Sequence, residues 1–337
     1  MIDLKTKYLG VELKNPIIIG ASNMVTDINM LKRLEDAGAA AIVYKSLFEE
    51  QIQLERLQME EEANEYTERH AEMINLFPKI AHAGPEEFLI NLKKACEAVN
   101  IPVFASLNAV YHNTWVDYAV KMEQTGIAGL ELNFYAIPYD FNKEAVSIEV
   151  EQEQILKAVK NAVSIPVSVK LSPFYTNILN VINRFDKAGA DGIVLFNRLF
   201  QPDFDLDTDK LVFPYNLSSE ADNKIRIRFA GLLYGNINAG ICTGGGITNG
   251  DDIIKMILAG ADSVQVVSAI YRKGPEYISE MLKQIEERML IKGYKTLDDF
   301  RGKFSKKNTT DIFAYKRAQY VDILLNSEEI FRRYPIA

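Results

Sequence analysis

Short apolar, branched runs alternate along the chain with longer stretches of helical period. "PIIIGAS" at 16–22 reads as a strand; Ile28, Leu31 and Leu34 then fall at three-residue steps, predicting a helix that ends near Gly38. "AIVYKS" at 41–46 is the second strand. "PVFASLN" at 102–108, "GLELNFY" at 129–135, "PVSVKLS" at 166–172, "GIVLFNR" at 192–198, "AGICTGGG" at 239–246 and "SVQVVSA" at 263–269 bring the count to eight.

Internal repetition supports that count. "EDAGAAAI", "DKAGADGI" and "ILAGADSV" each place Ala-Gly-Ala between a helix end and the next strand, and "EAVNIPVFASLN" and "NAVSIPVSVKLS" repeat a second kind of join. Gly38, Gly189 and Gly260 suit helix ends that need a left-handed backbone. Recurring βα units predict a parallel sheet closed as a (β/α)8 TIM barrel, one domain over 1–337. An open doubly wound sheet is the runner-up, but "GASNMV" after the first strand is not a dinucleotide fingerprint. Two excursions, at about 47–85 and 199–222, are expected over the barrel mouth. The first is glutamate-rich and reads as a solvated face. The second alternates Asp203, Asp205 and Asp207 with Phe204 and Leu206 and reads as a half-exposed hairpin. Beyond about residue 290, helices packed on the barrel exterior are expected.

Charge and composition narrow the partners. A net charge of -8 and 25% charged residues give no attraction toward nucleic acid or anionic lipid, and the cluster Arg301, Lys303, Lys306 and Lys307 reads as solvated surface. Cys96 and Cys242 lack Cys-x-x-Cys spacing, and His70, His82 and His112 fall in expected loops without ligand spacing, so neither a disulfide framework nor a metal site is predicted. The start lacks the apolar core of a signal peptide, and no run is long enough to cross a bilayer; a soluble, cytoplasmic protein is expected.

Barrel enzymes act at the C-terminal ends of their strands. Ser22, Lys45, Asn108, Asn133, Lys170, Asn197 and Arg198 all fall at or near such ends. Glu131 and Asn133, two apart, share one face of their strand, as do Ser168, Lys170 and Ser172 on the next. Lys170 needs an anion, and two readings stand: an ion pair with Glu131, or a cation facing a cofactor or substrate. "TGGGITNGDD" at 243–252 runs from a strand through three glycines into a helix, as a phosphate cradle would, with Ser268 nearby; no Gly-Lys-Ser/Thr follows, so it is not a P-loop.

Several segments, in order, resemble the dihydroorotate dehydrogenase family of FMN-containing barrels, especially its soluble class. They are "YLGVELKNPIIIGAS", "LELN", "VKLSP", "FNR", "TGGGITNGDDIIKMILAGADSVQVVSAI" and "GYKTLDDFRGK". The resemblance implies FMN as cofactor, with Ala21 and Ser22 along the flavin and Lys45 reaching flavin and substrate. It places Asn133 and Asn197 among the contacts; Asn108, at the neighbouring strand end, is a further cofactor-binding candidate. Lys170 would lie at the pyrimidine edge, and Gly245, Gly246 and Ser268 on the phosphate. A homodimer is an expected assembly by the same resemblance.

The departures fall on the substrate side. The family continues strand four with a Cys or Ser base and a Pro-Asn; this chain reads "LNFYAIP", with Ala136 near the base position. Alanine exchanges no proton. The expected activity is hydride transfer between FMN and a small, anionic substrate. Arg198 and Lys45 would hold its carboxylate, and Tyr135, Tyr139 or Asp140 would exchange the proton. Two other readings stay open, a flavin-free lyase forming a Schiff base on Lys45 or Lys170 and a non-catalytic flavin-binding protein.

Overall fold

The computed structural model describes residues 2–54, 84–135 and 140–325, with Glu328 and Arg332. The chain begins with a hairpin of β1 (Thr6–Tyr8) and β2 (Val11–Leu13), turned by Leu9 and Gly10, both at positive φ. The strands that follow are β3 (Ile17–Ile19), β4 (Ala41–Val43), β5 (Leu47–Phe48), β6 (Val103–Asn108), β7 (Gly129–Asn133), β8 (Val167–Leu171) and β9 (Gly192–Leu195). After them come β10 (Asp203–Asp205), β11 (Lys210–Val212), β12 (Gly240–Gly244) and β13 (Ser263–Val266). Eight of these, β3, β4, β6, β7, β8, β9, β12 and β13, pair in parallel, and the β4–β6 pairing closes the ring; β5 extends the edge of β6. The predicted eightfold barrel is the observed one.

Helices α1 (Ile28–Asp36), α2 (Pro85–Ala98), α3 (His112–Glu123), α4 (Ala145–Ala162), α5 (Ile178–Lys187), α6 (Asn223–Leu233) and α7 (Gly250–Ala259) fall between successive barrel strands. Three of these helices start on a side chain that accepts a backbone N–H: Asp27 from Met30, Asn177 from Asn180 and Asn249 from Asp252. Gly38, Gly189 and Gly260 lie at the helix exits with φ of 108°, 94° and 124°, as the repeats predict.

Strand parity divides the core in two. Outward residues such as Ile17, Ile42, Ala105 and Ile193 pack against the helices. Inward residues Ile18, Ala41, Val43, Phe104, Val194 and Cys242 form a second cluster inside the barrel with Tyr8, Leu9 and Leu13 of the hairpin. The hairpin therefore fills the barrel's lower interior, a role for "YLGVEL" that strand alternation alone did not announce.

Several expectations need correction. Arg301 is not solvated surface: its side chain is 9% exposed, pairs with Asp262 at 3.4 Å and Asp298 at 2.9 Å, and donates to the Ala261 carbonyl and Thr6 Oγ1. Lys303, Lys306 and Lys307 are exposed as expected. Glu49, in the glutamate-rich excursion, is buried, accepting from the Val110 N–H, Thr114 Oγ1 and Gln53. The rest of that excursion, 55–83, with His70 and His82, lies outside the described residues. His112 opens α3 rather than lying in a loop. The predicted hairpin at 203–212 exists, but both strands are mostly exposed rather than half-buried. After α8 (Ser268–Lys273) and α9 (Tyr277–Lys292), the chain packs through Leu297 and Phe300, whereas α10 (Arg317–Leu325) buries none of its residues. The expected C-terminal packing is thus done by a short irregular segment.

Candidate active site

The predicted strands ran past the sheet at their C-terminal ends, and those extra residues form the mouth. Just below it, inward positions turn polar. Lys170 Nζ lies 3.3 Å from Glu131 Oε1 and 2.8 Å from Gln265 Oε1, while Gln265 Nε2 donates to Glu131 Oε2 at 2.5 Å. Ser46 and Ser106 share a hydroxyl hydrogen bond of 2.7 Å. Glu131 is thereby accounted for: it is the partner of Lys170. The two ends of the pair differ, however. The Glu131 side chain is 2% exposed and that of Lys170 15%, so the ammonium is the member open to the mouth. Both readings of Lys170 are compatible with that geometry.

Asparagines finish the rim. Asn108 Nδ2 donates to the Asn133 carbonyl at 2.7 Å, and Asn197 Nδ2 to the Lys170 carbonyl at 3.3 Å, tying neighbouring strand ends together. Asn133 itself is paired in register with Lys170, yet its Oδ1 is buried with no partner, as is Ser22 Oγ beside Ala21. Buried polar atoms without partners are rare, because each forfeits its bond to water. Lys45, two residues past β4, is half-buried and makes no ion pair or hydrogen bond among the described residues; burial lowers its pKa. Tyr135 is half-buried, and Arg198 Nη1 lies 3.2 Å from Asp222 Oδ2. Asp140 is exposed, and Ala136 and Tyr139 lie outside the described residues.

At the far side of the mouth, β12 ends in Gly244, and Gly245 and Gly246 follow with φ of 93° and 75°. A Cβ on Gly246 would lie 2.5 Å from the Asn223 amide nitrogen and 2.9 Å from the Ser219 carbonyl oxygen, so the chain at 219–223 rests directly on this loop. Ser218 Oγ accepts from the Gly246 N–H at 3.1 Å and meets Ser268 Oγ at 2.9 Å. Ser268 opens α8 rather than lying on the last strand. Sequence reasoning missed Ser218 and Arg226, whose guanidinium donates to the Gly244 and Asp222 carbonyls. The Ser219/Asp222 capping box was legible in "SSEAD" and would have marked a fixed turn here; Arg226 carried no signal.

Asp252 anchors the loop from behind, accepting from Thr248 N, Thr248 Oγ1, Asn223 Nδ2 and Lys255 Nζ. Burial works to raise its pKa, but the Thr248 and Lys255 contacts outweigh burial and hold it below the ordinary 3.8. A depressed folded-state pKa stabilises the fold above the unfolded value and loses that effect as pH falls through the folded one. Asp252→Asn is therefore expected to flatten the acid side of a Tm-against-pH curve below about pH 4. An acid limb identical to wild type would count against this anchor.

An FMN, implied by the resemblance, needs an anion cradle, a cation near its ring and acceptors for its N–H. The glycine loop, whose Gly246 N–H bonds Ser218 Oγ here, the Lys170 ammonium and the unpartnered Asn133 Oδ1 and Ser22 Oγ are groups of these kinds, so the residues fit the group. Among the described residues, no cluster of three His, Cys, Asp or Glu side chains could hold a metal ion, and no helix is long and apolar enough to cross a membrane.

Comparison with known proteins agrees. The chain is similar to the catalytic subunits of dihydroorotate dehydrogenase B (NAD(+)) from two methanogens. Identity to the Methanothermobacter thermautotrophicus protein is 28% over 306 residues, 89% of this chain and 97% of the relative. Identity to the Methanocaldococcus jannaschii protein is 28% over 293 residues, 84% and 92% of the two chains. The Thermoplasma volcanium protein of the same name is 29% identical over 308 residues, 90% and 98%. The family model described as Dihydroorotate dehydrogenase matches residues 3–289. The chain therefore belongs to the dihydroorotate dehydrogenase family, whose members are FMN-dependent oxidoreductases acting on CH–CH bonds.

Proposed function

We propose that this protein carries out hydride transfer between FMN and a small, anionic substrate, in the manner of dihydroorotate dehydrogenase but without a Cys or Ser base after strand four. The observation that carries the reading is the set of unsatisfied groups at the mouth: among the described residues, Ser22 Oγ and Asn133 Oδ1 are buried without partners, and the half-buried Lys45 has no counter-charge. A flavoprotein family does not favour the flavin-free lyase.

Bound FMN would supply the hydride acceptor and donor. The protein's part is to hold and orient. Ala21, Ser22 and Asn108 line the flavin, Lys170 stabilises negative charge on it, and Gly245, Gly246 and Ser268 take the phosphate. Asn133 and Asn197 present amides to the ring and substrate. Lys45 takes the substrate's anionic group, since an anion restores the charge balance that burial disturbs. Arg198 assists: its pair with Asp222 is part-exposed and worth at most about 1 kcal/mol, so it can exchange that partner for a substrate carboxylate. Tyr135 holds the proton that a side chain at position 136 cannot.

Adding dihydroorotate anaerobically to the purified yellow protein tests the substrate. Loss of the flavin colour supports dihydroorotate; an unchanged spectrum removes it and turns the search to other small anions. With whichever substrate bleaches the flavin, Lys45→Met is expected to raise KM by about 10- to 100-fold, the loss of one charge-assisted contact worth roughly 1.5–3 kcal/mol. A KM equal to that of wild type would remove Lys45 from the substrate.

A further inference from the structure

Among the described residues, Arg226 is a buried cation without an ion-pair partner. It lies on the first turn of α6, is 7% exposed, and has none of their carboxylates within ion-pair distance. Two of its nitrogens are fixed: Nε donates to the Gly244 carbonyl and Nη1 to the Asp222 carbonyl. Nη2 has no acceptor among the described residues. The nearest charges are Asp222 and Arg198. The Asp222 carboxylate is already taken by Arg198 and the Ser219 N–H, and Arg198 adds positive charge of its own. Burial pulls the Arg226 pKa down to about 10, which leaves it charged at neutral pH.

Its position is specific. A Cβ on Gly245 would lie 2.8 Å from Nη2 and 3.1 Å from the central guanidinium carbon, so the planar group is stacked against the bare side of the glycine loop. A guanidinium cannot neutralise itself by losing a proton, and an unpaired charge in a dry site costs several kcal/mol unless an anion meets it. Loops after the seventh and eighth strands of such barrels commonly hold phosphate, and those strands here are β12 and β13. Backbone amides alone hold a phosphate by dipoles. A guanidinium adds a full charge and a geometry matched to phosphate oxygens.

We propose that Arg226 supplies the counter-charge for the phosphate monoester of the cofactor and makes this site prefer FMN over uncharged riboflavin. The proposal rests on the flavin reading above. It assigns Arg226 to binding and gives it no part in the redox step.

The test measures dissociation constants of FMN and riboflavin, by quenching of flavin fluorescence, on deflavinated wild type, Arg226→Gln and Arg226→Lys. The expected result is that Arg226→Gln weakens FMN at least tenfold with riboflavin binding unchanged, and that Arg226→Lys recovers part of the loss. Inorganic phosphate alone should raise the Tm of the deflavinated wild type and leave that of Arg226→Gln unmoved. Riboflavin binding doubles as a folding control. Both flavins weakening in parallel would show that Arg226 only pins the Gly244 and Asp222 carbonyls, and an unchanged FMN preference would overturn the proposal directly. Should Arg226→Gln fail to fold, Arg226→Lys decides, because it keeps the charge but not the fork: FMN weakened with riboflavin unchanged supports the role, and both flavins weakened by the same factor, or neither, counts against it. Wild type that binds neither flavin overturns the flavin reading itself, and the proposal with it.

Discussion

Lys170→Met is expected to destabilise the fold by about 3 kcal/mol or more, because it leaves the Glu131 carboxylate buried without its cation. The remaining partner, Gln265 Nε2, offers a hydrogen bond but no charge. The double variant Glu131→Gln, Lys170→Met is expected to recover most of that loss, since a neutral amide at 131 can still bond Gln265 and no charge remains buried. Urea denaturation of the two single variants and the double closes the cycle. A coupling below about 0.5 kcal/mol would mean that the two groups are not a unit, and that Lys170 stands by interaction with solvent at the mouth.

Gly246→Ala is expected to cost about 3 kcal/mol or more and to abolish flavin retention, because two penalties add. A φ of 75° disfavours any Cβ by roughly 1–2 kcal/mol, and here that Cβ meets the Asn223 amide nitrogen at 2.5 Å, backbone that no rotamer change can move aside. Gly10→Ala is the control. Its φ of 73° is nearly the same, but nothing lies within 4 Å of the added atom. It should lose only the conformational part, about 1 kcal/mol. Equal losses at the two positions would show that close packing of 219–223 on the glycine loop contributes nothing.

The barrel was legible because its signals are local. Alternation within each strand and the repeated Ala-Gly-Ala joins depend on neighbours a few residues away, and the eight predicted runs contain the eight observed strands. The same parity argument placed Glu131 and Lys170 on inward faces, and pairing them at one site needed only adjacent strands. What stayed hidden were charged residues that the fold buries. Arg301 looked like surface because its basic neighbours are; its burial depends on Asp262 and on a threonine 295 residues away. Glu49 was hidden among exposed-looking glutamates, and Arg226 within a helix whose next-door Ile225 is exposed. No spacing rule links these letters to their partners, since tertiary packing creates the relation.

The hairpin that fills the barrel from below has a consequence for how the polypeptide matures. Its side chains pack on strands from β3 to β12, but Thr6 is also bound by Arg301 and Asp3 bridges to Thr296, so part of its anchorage waits for a segment some 295 residues later. While the chain emerges from a ribosome, those two contacts cannot form until that segment appears. Their formation closes a loop of 295 residues, a step whose entropic toll grows only slowly with length but cannot begin early.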